Sequence, residues 1–504
     1  MSEPIKRISK NTFYLYMRMI ILMIITLYTS RKLLEVLGVD DFGVFSIVGS
    51  ITATFYTLRT VFAEAIQRFL NYEKGGGSIL GERQIFSISI ILHVAIALIF
   101  IILSEILGTW LLEHKLIIAP DRFQAACFTF HMTIVASMFY ILLVPYDAVI
   151  IANEKMSVYA WVSILDGVGK LLIVFMLPLI HFDKLETYSL LLVIIPLINL
   201  VVYSIYCRKF PECQFSFKIK KDKVFEIFSF SGWSFTGNLF YTFAHEGLNV
   251  LINMFGGTVY NASRNIAYQV KSAVNQVANN TLLATKPFIL QSAAKSDAST
   301  LLFAIVRILR ANFFIMLLTC IPLITFCETF LTLWLKDVPL WSLEFSQLAV
   351  FSVLIRSMHG PLDMFYMGMG NIKKMVIIES SIFILFLIVS YILLSIGLPI
   401  TSAFLALCIT EVLIILALSA NIKLEFRIDV TKLFFSGILP CIILSCISLL
   451  VYYTFVKLWV SKTFVGIVGG ILLCCMIEMV LILLFMNKEE KETIKNFLHN
   501  KIKH

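Results

Sequence analysis

Charge is scarce in this chain. Only 14% of its 504 residues are Asp, Glu, Lys or Arg, 59% are hydrophobic, and the mean hydropathy is +0.90. A soluble globular protein is excluded, because the apolar surface far exceeds what a core of this size would use. A phosphate-binding loop is also missing. The glycines of "GGGS" at 75–78 are not followed by Lys and Ser/Thr, and no polar stretch is long enough for an ATP-binding domain, so coupling to ATP is excluded. The ten cysteines lie mostly inside apolar runs, as small packing residues, and build neither a disulfide framework nor a metal site. No cofactor or metal is expected.

What is present is a series of apolar runs. A hydrocarbon slab of about 30 Å is crossed by about 20 apolar helical residues. Fourteen runs have that length: 13–34, 43–65, 85–108, 123–150, 158–180, 185–206, 228–252, 259–284, 302–327, 342–368, 375–397, 400–421, 433–456 and 463–486. The first follows "KRISK", but no small-residue cleavage site succeeds it and Arg31 and Lys32 close it, so it reads as a retained helix. The fold class is therefore an all-α polytopic membrane protein. With Arg31, Lys32, Arg307 and Arg310, near the ends of their runs, counted with the adjoining loops, 27 of the 41 Lys and Arg fall on segments sharing the side of the N-terminus, 8 on the opposite side and 6 within helices. Both termini are thus expected in the cytosol. The net charge of +9 needs no nucleic acid, since basic inner loops facing anionic bilayer lipid explain it.

The chain repeats itself. "EVLGVDDFGVFSIVGSI" at 35–51 is a polar break between apolar runs, and "NMFGGTVYNASRNIAYQ" at 253–269 is another. A shift of 218 puts Leu37, Gly38 and Phe42 on Phe255, Gly256 and Tyr260, and Arg68 on Lys286. "VPYDAVIIANEKM" at 144–156 matches "GPLDMFYMGMGNIKKM" at 360–375, with Pro145, Asp147, Asn153 and Lys155 on Pro361, Asp363, Asn371 and Lys373 and two residues inserted. The matches fall on polar, Gly and Pro positions, where hydrophobic bias cannot create them. Six helices separate the copies, so both halves point the same way, a parallel repeat about an axis along the membrane normal. The expected organisation is a six-helix bundle at 1–206, a basic cytosolic linker at 207–227, a second bundle at 228–421, helices thirteen and fourteen at 422–486 and a basic tail at 487–504, with a central cavity between the bundles.

Charge inside a spanning helix costs about 2.5–3.5 kcal/mol and should face protein or water. Arg18, Arg59, Arg264, Lys271, Arg356 and His359 are the candidates for a cationic cavity, and guanidinium groups suit phosphate because they donate two parallel hydrogen bonds. Bland readings stand beside them. Arg59 and Arg68 lie where they can snorkel to the inner surface, and His245 and His359 fit equally as hydrogen-bonded core residues. Asp166 and Lys170, at i and i+4, read as a mutually neutralising pair. Arg356, His359 and Asp363 share one face of helix ten. Asp147, Asp363, Glu246 and Glu411 are acidic candidates for coupling to H+ or Na+, or alternatively for capping a helix or pairing with an Arg. Gly38, Gly43, Gly256, Pro145 and Pro361 are hinge candidates, and the prolines read equally as static kinks.

The stretch "NTFYLYMRMIILMIITLYTSRKLLEVLGVDDFGVFSIVGSI", followed by "AEAIQRFLNYEKGGG" and later "VPYDAVIIANEKM", resembles the O-antigen and capsular polysaccharide flippases of the multidrug/oligosaccharidyl-lipid/polysaccharide exporter superfamily. The likeness is strongest over 11–75, where Leu37, Gly38, Phe42 and Gly43 match the common "LG-x-x-x-F/Y-G" hinge. The resemblance implies an alternating-access transporter that carries an oligosaccharide on undecaprenyl pyrophosphate to the outer leaflet of a bacterial inner membrane, with a polysaccharide polymerase as a candidate partner. It transfers the role of lumenal cations, not their positions. Two other functions compete. An ion-coupled drug exporter of the same superfamily would have twelve helices and an acidic lumen. An O-antigen polymerase would carry a large outer loop, whereas the longest here, around 109–122 and 328–341, are about fourteen residues each.

Overall fold

The computed structural model describes residues 3–56, 66–67, 69–74, 78–153, 155–216, 221–295, 298–456, 464–488 and 490–492. Among them the chain is helical, with no strand and fourteen helices of seven residues or more. They are α1 (Glu3–Tyr56), α2 (Ile79–Leu103), α3 (Phe123–Ala152), α4 (Met156–Met176), α5 (Lys184–Cys207), α6 (Lys221–Gly256), α7 (Thr258–Lys295), α8 (Ala298–Thr325), α9 (Cys327–Trp334), α10 (Ser342–Gly368), α11 (Ile372–Ser395), α12 (Thr401–Phe426), α13 (Leu439–Val456) and α14 (Phe464–Phe485). Eight described helical segments are long and apolar enough to span a bilayer.

The expected break between the first two spans is visible inside α1. Gly38 there has φ +79° and ψ 174°, a left-handed backbone that a Cβ would strain. The second break falls between α6 and α7. Its left-handed residue is Gly257, at φ +80°, one past the Gly256 expected from the alignment. Gly256 is the last helical residue, and Gly257 turns the chain while its N–H donates to the Asn253 carbonyl at 2.8 Å.

The chain packs as two compact units. The first comprises Met1–Asn265, Leu335–Trp341 and Phe383–Ala403. In it α3 lies along α5 and α1 along α4, around a core that includes Phe86, Phe100, Phe130, Ile141 and Tyr203. Lipid tails are as apolar as Leu, so close packing and buried polar contacts hold such helices together. At one end Arg122 grips two carboxylates, Asp41 at 2.7 Å and Asp183 at 2.6 Å. Asp183 also caps α5, accepting from the Glu186 N–H at 3.0 Å. Burial pushes the Asp183 carboxyl up, but the Arg122 hydrogen bonds and the capped backbone N–H groups outweigh it and hold it below the usual range. A depressed carboxyl stabilises fully above its unfolded value, about 3.9, and loses that contribution as pH falls through the lower folded value. Asp183→Asn keeps a cap but loses the charge. It is expected to lower stability by about 1 kcal/mol at pH 7, a pair roughly a quarter exposed being worth less than a buried one. Thermal unfolding across pH should show the deficit shrinking below about pH 4.

The second unit comprises Ile266–Trp334, Ser342–Ile382 and Phe404–His504. Here α8 lies along α10, and α13 and α14 pack on α8. Arg310 of α8, buried, clasps Glu490 through Nε at 2.6 Å and Nη2 at 3.0 Å and donates to the Ser436 and Phe485 carbonyls at 2.8 and 2.7 Å. One guanidinium thereby ties helices thirteen and fourteen to the rest of the unit. Glu478 of α14 is buried and accepts from Ser448 of α13 at 2.9 Å, a further polar tie between the same two helices.

One contact recurs in both units. Asn153 donates to Glu212 at 2.5 Å, and Asn371, its mate in the repeat, donates to Glu425 at 2.6 Å.

Candidate functional site

In the second unit α10 carries Arg356, His359 and Asp363 along one face, as their spacing implies. His359 is buried, and both its ring nitrogens meet carboxylates. Nδ1 lies 3.1 Å from Glu411 of α12, and Nε2 lies 3.0 Å from both Glu379 of α11 and Asp363. Arg356 reaches the other Glu411 oxygen at 3.2 Å. Lys271 of α7, buried and 5.0 Å above the Tyr268 ring, adds its charge to the field on Glu411. Three carboxylates thus face Arg356, Lys271 and His359. The cluster balances with an imidazolium and carries one excess negative charge with a neutral ring. Ligand atoms of His359, Asp363 and Glu379 lie within 4.8 Å of one another, close enough for one small cation to bridge. A cavity of about 330 Å³ beside them is lined by Arg356, Asp363, Asn275 and Asn279.

The first unit holds a larger cavity, about 570 Å³, lined by Arg18, Tyr140, Asp147, Tyr159, Asp166, Lys170, Asn199 and several Ser and Thr hydroxyls. Asp166 is held on three sides: Tyr140 Oη donates at 2.6 Å, Asn199 Nδ2 at 2.9 Å, and Lys170 Nζ lies at 2.7 Å. Arg18 stacks 4.5 Å over the Tyr159 ring. Asp147 is engaged by the Tyr203 hydroxyl.

The other sequence candidates are placed as follows. Arg264 is buried in the first unit, donates to the His245 carbonyl and lies 3.5 Å from Glu246, so these two candidates pair with each other. Pro145 and Pro361 sit inside α3 and α10. Gly43 lies where a Cβ would meet the Thr258 carbonyl oxygen at 2.0 Å. Arg59 and Arg68 lie outside the described residues. Glu379, Tyr140 and Asn199 were not singled out by sequence. Glu379 shows there only as one carboxylate near the start of an apolar run, and its partner is 20 residues away on another helix.

No family model and no curated protein matches the chain in sequence. Solved structures do match. An inward-facing multidrug resistance MATE family transporter of the MOP superfamily aligns at TM-score 0.68 and 12% identity over 81% of this chain and 97% of that one. The lipid II flippase MurJ, in an inward closed conformation, aligns at TM-score 0.68 and 13% identity over 95% and 99%. The Vibrio cholerae MATE transporter VcmN, as a point mutant, aligns at TM-score 0.55 and 15% identity over 84% and 97%. This chain has the fold of these MATE and MurJ structures. At such identities the likeness speaks for the fold alone, and the chemistry rests on the residues above.

Proposed function

We propose that the protein is a flippase that moves an oligosaccharide linked to undecaprenyl pyrophosphate from the cytosolic to the outer leaflet of a bacterial inner membrane, by alternating access of two bundles, for surface polysaccharide synthesis. It is a transporter and not an enzyme. Both termini face the cytosol. The observation that carries this reading is the cavity of the first unit. Its lining mixes apolar side chains with hydroxyls, an amide, two cations and two carboxylates, of which Asp166 is neutralised by Lys170 and Asp147 is engaged by the Tyr203 hydroxyl. A cationic drug is best held by an uncommitted carboxylate, and both Asp166 and Asp147 are already engaged by neighbouring side chains.

The physics favours such a route. Each sugar hydroxyl taken into hydrocarbon without a partner costs about 4–8 kcal/mol, so a glycan faces a barrier of many tens of kcal/mol in bare lipid. A polar cavity removes most of that barrier while the lipid tail stays in the bilayer. Arg264, Lys271 and Arg356 are assigned to the anionic part of the substrate, and Arg18 to its polar head group. The His359 cluster, with Asp363, Glu379 and Glu411, is assigned to coupling with H+ or Na+.

Deletion of the gene in its native host, followed by assay of lipid-linked oligosaccharide on each leaflet, tests the proposal. Inner-leaflet accumulation should be rescued by wild type and, with Arg18→Met, should clear at least tenfold more slowly, the loss of a charge-assisted hydrogen bond being worth about 1.5–3 kcal/mol. An unchanged leaflet distribution together with new drug sensitivity would instead identify an ion-coupled multidrug exporter.

A further inference from the structure

We infer that the cavity inside the first unit is a pocket for one uncharged sugar ring of the cargo, distinct from whatever holds its anionic group. The inference rests on the flippase reading and names the chemistry of one part of that cargo.

Charge is the first argument. Arg18 and Lys170 face Asp147 and Asp166, so the formal charge of the lining sums to zero. Lys170 is committed to Asp166 at 2.7 Å and lies 5.3 Å over the Tyr140 ring, so it is not poised as a free cation for a pyrophosphate. A dianion entering here would have to break that pair, whereas an uncharged polyol would not.

Hydrogen bonding is the second. Tyr140, Asp166 and Asn199 are locked to one another at 2.6 and 2.9 Å, which fixes an array of donors and acceptors before any ligand arrives. The Arg18 guanidinium lies over the Tyr159 ring, 4.5 Å from its centroid, and stands in the cavity wall with the hydroxyl-bearing side chains. A sugar hydroxyl can accept from such a donor while also donating to a neighbouring acceptor. Shape is the third. The lining sets the apolar side chains of Leu22, Leu143 and Val162 beside the hydroxyls of Thr26, Ser137 and Ser163, a mixture that suits the C–H faces and hydroxyl rim of a pyranose. The volume of about 570 Å³ lies within the range of about 300–1,000 Å³ usual for small-molecule sites, and leaves room for water around one ring.

The test is saturation-transfer NMR on the full-length protein in nanodiscs, with methyl glycosides of uncharged hexoses, deoxyhexoses and N-acetylhexosamines as probes and inorganic pyrophosphate as competitor. Wild type should transfer saturation to at least one glycoside, and millimolar pyrophosphate should leave that signal in place. Tyr140→Phe, which removes one hydroxyl, and Asn199→Leu, which removes the amide, should each weaken the signal at least fivefold. Tyr140→Phe serves if Asn199→Leu fails to fold. Absence of transfer to every glycoside overturns the inference, as does a signal indifferent to both variants. Displacement by pyrophosphate, with binding lost in Arg18→Met, overturns it in favour of an anion site. A failed glycoside result beside an intact leaflet phenotype removes only the sugar pocket. A normal leaflet distribution in the deletion strain removes the flippase reading itself.

Discussion

Replacing Glu411 with Ala is expected to cost about 3–5 kcal/mol of stability and to abolish transport, because it strips a buried carboxylate from between two cations. Glu411 is almost fully buried, and it meets His359 Nδ1 at 3.1 Å through one oxygen and Arg356 at 3.2 Å through the other. Removing it takes a carboxylate from the buried His359 Nδ1 and from Arg356, which is 28% exposed beside the cavity, and leaves the cluster with an excess of positive charge near Lys271. The penalty belongs to that uncompensated charge more than to the lost pair. Glu411→Leu combined with Arg356→Met should therefore recover much of the stability, since an apolar replacement of a buried pair is often neutral. Transport should stay lost in that double variant if the cluster couples to an ion. Thermal unfolding in detergent reads the first quantity and leaflet assays read the second. A double variant as unstable as Glu411→Ala would show that the pair itself, rather than unpaired charge, holds the site.

That cluster also shows where sequence reasoning reaches its limit. The face of α10 was legible, because Arg356, His359 and Asp363 are spaced at helical period on one element. The Asp166–Lys170 pair was legible for the same reason, and so was the break at Gly38, where a glycine and two aspartates interrupt an apolar run. Everything that needed a second helix was not. Glu379 and Glu411 reach His359 from 20 and 52 residues away. Asn199 reaches Asp166 from 33 residues away. Arg264 read as a candidate cavity cation, with no sign in the sequence that folding brings Glu246 of α6 to within 3.5 Å of it. Hydrophobic period reports which face of a helix is buried, not which helix it is buried against. The turn at Gly257 shows the same limit on a small scale. Two adjacent glycines satisfy the motif equally, and the hydrogen bond to Asn253 decides which one takes positive φ.

Gly43→Val should drive the protein away from the arrangement described here. A Cβ at Gly43 would lie 2.0 Å from the Thr258 carbonyl oxygen and 2.7 Å from its carbon, and those are backbone atoms that no rotamer change can move aside. Thr258 is itself pinned, since it follows the Gly257 turn and donates through Oγ1 to Asp40 at 3.3 Å. Behind it, buried asparagines form a ladder. Asn253 donates to Asn261 at 2.7 Å, Asn261 to Asn249 at 2.8 Å, and Asn249 to Ser50 of α1 at 2.6 Å. The second half of α1 is thereby locked to the end of α6 and the start of α7, and α7 has little freedom there to retreat from a new methyl group. Overpacking of this kind costs about 1–3 kcal/mol, which corresponds to a shift of about 5- to 150-fold between two conformations. If the two glycine turns close one side of the transport path, that shift should appear as separation of Asp40 from Thr258. Cysteines placed at these two positions should cross-link readily in an otherwise wild-type chain and at least fivefold less in the Gly43→Val background, with transport reduced in parallel. Gly469→Val is the matched control, because a Cβ there meets nothing within 4 Å and the position lies outside the cavity. Unchanged cross-linking with Gly43→Val would mean that α7 yields locally, and the close approach of the two turns would then be a packing detail rather than a gate.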